Sequence, residues 1–99
     1  MEIGKNISGD NWELLVSGRI DGAVANQLEV EILAAQRQGA KQLYVNLANA
    51  TFLCSAGIRV LLQYHRKMKS QGQKFLVTRP SAEVAATLEM TGFPELIEK

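Results

Sequence analysis

The sequence has a single cysteine, Cys54, and a single histidine, His65. One thiol cannot close an internal disulfide, and neither residue has the companions that a cysteine- or histidine-based zinc site requires. Aromatic residues make up only 6% of the chain and are not interleaved with basic ones, which argues against a surface that stacks on bases. Charge of neither sign dominates, with 11 basic and 10 acidic residues, so no direct nucleic-acid partner is implied. No apolar run reaches the roughly 18–20 residues that cross a bilayer, so no membrane partner is implied. Met1-Glu2-Ile3-Gly4-Lys5 contains no apolar signal core. The expected location is the cytoplasm, where a free thiol stays reduced. The chain has no phosphate-cradling glycine loop, no nucleophile triad and no metal cluster, so neither an enzyme nor a cofactor is expected.

What is present is the composition of one globular domain: 99 residues, 46% apolar and 21% charged, enough for a single core. Trp12, Leu14 and Val16 recur at period two and predict a strand over 11–17, with Ile3 to Ile7 as a hairpin partner. Asp21 is placed to cap a helix running to about Arg37, with Val24, Leu28, Ile32 and Ala35 on its buried face. Leu43, Val45 and Leu47 mark a strand over 42–47, and Asn49 to Leu53 reads as a connection. A second helix is expected from Ser55 to Ser70, with Ile58, Leu61, Leu62, His65 and Met68 facing inward. Phe75 and Val77 mark a strand over 74–78. Ser81 caps a third helix, with Val84, Leu88 and Ala85 facing inward, and Glu95 to Ile97 suits a short last strand. Helices between strands imply crossovers and a mainly parallel, mixed sheet of four to five strands with three main helices.

The segment Phe52-Leu53-Cys54-Ser55-Ala56-Gly57-Ile58 leaves a strand and enters a helix. Ser55 falls at or near the N-cap, with Leu53 exposed or half-exposed beside it and Gly57 leaving the backbone uncovered. A structural cap is the plain reading of such a serine. The sharper one is electrostatic: a helix N-terminus stabilises negative charge, and a phosphoserine would bring roughly −1.5 to −2 charge there. Arg59, four residues on, shares the helix face and can reach that charge.

Gly18-Arg19-Ile20-Asp21 resembles the Gly-x-Leu/Ile-Asp signature of the STAS family. Val45-Asn46-Leu47 followed by Phe52 to Gly57 resembles that family's strand and its Asp-Ser-Ser/Thr/Ala-Gly-Leu/Ile switch loop. Leu61-Leu62, Gly72, Pro80 and Thr91-Gly92-Phe93 fall where the family has equivalents, so the likeness spans residues 1–99 as one domain. Within the family the chain is most similar to stand-alone bacterial anti-sigma-factor antagonists. The resemblance implies a non-enzymatic protein that binds an anti-sigma-factor serine kinase. It further implies release when that kinase phosphorylates Ser55, and resetting by a serine phosphatase. It places partner contacts at Asp21, Leu53, Cys54, Ser55, Ala56, Gly57, Ile58 and Arg59. Cys54 stands where the family usually has Asp, which removes a charge beside the acceptor.

Two other readings remain: a scaffold whose Ser55 is never modified, and a small-molecule or lipid sensor at the end of the sheet near Asp21 and Ser55. Asp21 serves equally as a binding-surface acid and as a cap. Asn46 and Asn49 are expected to order the loop through side-chain hydrogen bonds. Arg66-Lys67-Met68-Lys69 reads as the solvated end of a helix, where cations complement the dipole; an acidic partner groove is the other reading.

Overall fold

Period-two apolar runs become a four-stranded sheet in the computed structural model, which describes residues 3–98. Met1, Glu2 and Lys99, the ends of the expected 1–99 domain, lie outside the described residues. The elements are β1 (Ile3–Ser8), β2 (Asn11–Val16), β3 (Gly18–Ile20), α1 (Gly22–Arg37), β4 (Gln42–Asn46), β5 (Ala50–Leu53), α2 (Ser55–Ser70), β6 (Lys74–Thr78) and α3 (Ala82–Met90). A 3-10 turn, Pro94–Leu96, follows. The main sheet has the order β1-β2-β4-β6, and β3-β5 forms a separate two-stranded sheet.

The β1–β2 pair is antiparallel, whereas β2–β4 and β4–β6 are parallel. The parallel pairs need crossovers, and α1 and α2 lie within them. Trp12, Leu14, Val16, Leu43, Val45, Phe75 and Val77 turn inward and are buried with Leu28, Ile32, Leu61 and Met68 from the helices. The alternate residues Glu13, Leu15, Tyr44 and Leu76 are only half-buried on the opposite face. Fully burying a Leu-sized side chain contributes about 1.5–3 kcal/mol, so this inner layer carries most of the folding drive.

Several expectations are corrected. The segment 49–53, read as a connection, contains strand β5, and Gly18–Ile20 pairs with it in parallel. The expected last strand is a 3-10 turn instead. Pro94 has no N–H to give a ladder, and among the described residues of this segment only Ile97 bridges, to Val77. The buried stripe of α2 comprises Gly57, Val60, Leu61, Tyr64, His65 and Met68; Ile58 and Leu62 are half-exposed. Tyr64 belongs there because its ring is buried while its hydroxyl donates to Glu29 Oε2 on α1 at 2.8 Å. Burial, followed by that bond and the nearby carboxylate charge, pushes the Tyr64 phenol up to about 12. His65 Nδ1 lies 2.7 Å from the Phe75 carbonyl oxygen. A carbonyl only accepts, so this nitrogen carries the proton and the ring fastens α2 to β6. Ala85 is half-buried while Val84 and Leu88 are buried, and Ser81 Oγ caps α3 by accepting from Val84 N–H at 3.2 Å.

Candidate functional site

Two strand-to-helix junctions meet at one end of the molecule. At the first, β3 runs into α1 and Asp21 is the cap: its Oδ1 accepts the Val24 N–H at 3.0 Å. At the second, β5 runs into α2. Parallel pairing sets Arg19 against Phe52 and Ile20 against Leu53, and the Cys54 N–H donates to the Ile20 carbonyl at 3.0 Å. One backbone bond therefore holds the two junctions together. Asn46 supports the approach to β5, with Oδ1 accepting from Ala48 N–H at 3.0 Å and Nδ2 donating to Glu13 Oε2 at 3.1 Å. Hydrogen bonds from Asn6 and then Asn46, helped by Arg79, hold the Glu13 carboxyl below the usual glutamate range. Asn49 contributes through its backbone carbonyl, which accepts from Gly18 N–H at 2.9 Å.

The cap of α2 is Cys54, not Ser55. Its backbone is extended, with φ −80° and ψ 170°, and its Sγ accepts the Gly57 N–H at 3.4 Å. Cys54 is half-buried. Ser55 is the first helical residue and is exposed, so its hydroxyl is free of the capping role. The first turn of α2 carries no acidic side chain. Its leading N–H groups point out of the helix end, where the dipole favours an anion.

Leu53, expected at the surface, is only 3% exposed, because it packs under the start of α2. Gly57 does not uncover the backbone; it is buried and makes room for that packing. A Cβ at position 57 would lie 2.7 Å from Leu53 Cδ1 and 3.2 Å from Ile20 Cγ2. Leu53 and Gly57 thus shape the surface from beneath. The residues that reach it are exposed Asp21, Ser55 and Arg59, with half-buried Cys54, Ala56 and Ile58.

Two surface residues escaped the sequence reading. Phe52 is 38% exposed, and the Arg19 guanidinium carbon lies 4.1 Å from its ring centroid. Such a stack is favourable and holds both side chains in place. The signal was available only through the pairing of β3 with β5. Among the described residues, no group of three or more His, Cys, Asp or Glu is arranged to hold a metal ion. No helix among them is long and apolar enough to cross a membrane.

A mixed, mostly parallel sheet and three helices define a small α/β domain. The chain belongs to the STAS domain family, whose model matches residues 5–99. It is 26% identical over 87 residues to an anti-sigma-B factor antagonist of Staphylococcus aureus, covering 87% of this chain and 80% of the relative. The fold superposes on the anti-sigma factor antagonist SpoIIAA in its unphosphorylated form with a TM-score of 0.84 at 18% identity, covering 98% of this chain and 86% of the other. The phosphorylated form of SpoIIAA from Bacillus gives 0.78 at 17% identity, covering 98% and 89%.

Proposed function

We propose that this chain is an anti-sigma-factor antagonist that binds an anti-sigma-factor serine kinase and is released when Ser55 is phosphorylated. A serine phosphatase then restores the binding form. The observation that carries the reading is the exposure of Ser55 at the first position of α2, outside the cap and on a turn with no acid of its own. Phosphate there meets free N–H groups and the positive helix end, so the fold tolerates it. A partner seated over the same turn meets new charge and bulk instead. A penalty of about 3 kcal/mol weakens binding more than 100-fold, which suffices for a switch.

The test is to incubate the protein with the histidine-kinase-like ATPase of its source genome and ATP, then map phosphate by mass spectrometry. Transfer to Ser55, and loss of binding in Ser55→Asp with the fold retained, is the expected result. No transfer, together with no binding by the unmodified protein, rejects the reading. A non-phosphorylated scaffold is the second reading, favoured by Cys54 as a neutral cap beside the acceptor; wild-type signalling by Ser55→Ala would establish it. The ligand-sensing reading gains nothing from the junctions. A cleft of about 370 Å³ lies instead between β1 and α1, lined by Ile3, Asn26, Gln27, Val30 and Glu31.

A further inference from the structure

From residue 32 to residue 82 the chain contains no Asp or Glu, yet it holds eight of the 11 basic residues: Arg37, Lys41, Arg59, Arg66, Lys67, Lys69, Lys74 and Arg79. Overall charge balance hides this asymmetry. The whole of α2 lies inside the acid-free stretch. Positions 55, 59, 62, 66 and 69 recur at three- and four-residue spacing, so Ser55, Arg59, Leu62, Arg66 and Lys69 share one face of the helix. Ser55, Arg59, Arg66 and Lys69 are exposed, while Leu62 and the neighbouring Ile58 are half-exposed. Among the described residues, none of the three cations forms a salt bridge; the ion pair found is Lys5 Nζ with Glu31 Oε1 at 2.8 Å.

Complementing the dipole explains Lys67 and Lys69, which lie in the last turn. It does not explain Arg59, which lies near the helix start, where a cation opposes the dipole. A row of unpaired cations is readily hydrated, but here it flanks a narrow, half-exposed apolar strip, Ile58 and Leu62. This combination is well suited to a surface of opposite charge with apolar residues of its own. Arg19 over Phe52 extends the same composition to the residues just before the turn.

We infer that the outward face of α2, from Ser55 to Lys69, docks an acidic segment of a protein partner, with Arg59 and Arg66 opposite its carboxylates and Ile58 and Leu62 against its apolar side chains. This rests on the partner-switching reading and adds the partner's chemistry to it. It also gives phosphorylation a second action. Phosphate on Ser55 would occupy Arg59 from within and set like charge against the partner's carboxylates.

The test compares two double variants of equal charge change, Arg59→Glu with Arg66→Glu and Arg37→Glu with Lys41→Glu. Melting curves establish that both fold. Each is titrated with the histidine-kinase-like ATPase of the source genome and with a fluorescein-labelled helical peptide of Glu and Leu. The Arg59/Arg66 variant should lose at least about tenfold in affinity for both, with the loss reduced at high salt, while the Arg37/Lys41 variant binds like wild type. Undiminished ATPase binding by the Arg59/Arg66 variant overturns the inference and leaves the Ser55 switch standing. If the ATPase binds no form, the switch reading fails, and the peptide titration alone decides: equal peptide binding by both variants overturns the inference. Tighter wild-type binding to single-stranded oligothymidine or to phosphatidylserine vesicles than to the peptide overturns it as well.

Discussion

The two strand-to-helix junctions close their first helical turns differently. Asp21 caps α1 with a carboxylate oxygen at 3.0 Å, whereas Cys54 caps α2 with sulfur at 3.4 Å. A thiol is a weak acceptor, so the second turn is held less by its cap and more by what lies beneath it. Gly22 at the first junction has open space around its missing Cβ, whereas Gly57 at the second is closely packed on Leu53 and Ile20. One helix is anchored by electrostatics and the other by steric fit. The one anchored by fit carries the exposed serine, and its positive end is left without an acid.

Filling the space at Gly57 should have the largest effect. Gly57→Val forces Leu53 and Ile20 aside and should lower stability by about 2 kcal/mol, as overpacking does. Gly22→Ala meets nothing and should raise it by about 0.5 kcal/mol through the unfolded chain. Urea unfolding of both variants checks the contrast, and equal effects would break it.

The caps come next. Asp21→Ala should cost about 1 kcal/mol, and Cys54→Ala should cost less than half of that. Cys54→Asp should stabilise by about 0.5–1 kcal/mol, since it brings both a better acceptor and a charge suited to the helix end. Thermal melts at neutral pH read these values. A Cys54→Ala loss as large as that of Asp21→Ala would show that the sulfur cap is not the weaker one.

The smallest effect is a pH dependence confined to the second junction. Glu13 holds Asn46, and Asn46 orders the turn before β5. Its carboxyl titrates below the ordinary glutamate range because Asn6, then Asn46, donate to its charged form. A depressed carboxylate contributes stability above its unfolded pKa and loses it as pH falls through the folded one. Wild type should therefore weaken more than Glu13→Gln between about pH 5 and pH 3, and the amide exchange of Ala48 should quicken over that window while that of Val24 does not. Parallel behaviour of the two amides would remove the distinction.

Much of the architecture was legible because its signals are local. Period-two runs marked β2, β4 and β6, and caps at Asp21 and Ser81 marked two helix starts. β3 and β5 were not legible as strands, because their three and four residues are too few to alternate and a register shift falls between Gly18 and Arg19. Tyr64 was left out of the inward stripe, and Leu53 misplaced, for a related reason. Their burial depends on Glu29 of another helix and on the room left by Gly57, and neither shows in a window of neighbouring residues. At the candidate site, Asp21 was legible from capping chemistry, whereas Ser55 was reached only through the motif, because the cap it was expected to supply falls to Cys54. Phe52 and Arg19 were not legible, because they meet only when two remote strands pair.

The hydrogen bond from Cys54 N–H to the Ile20 carbonyl has a practical consequence. The proposed recognition surface is assembled from two stretches of chain separated by a full helix and a strand. A synthetic peptide copying residues 50–59 would keep every letter of the proposed switch loop and lack the floor it rests on. Transplanting the loop into another scaffold would require bringing β3 along as its mate.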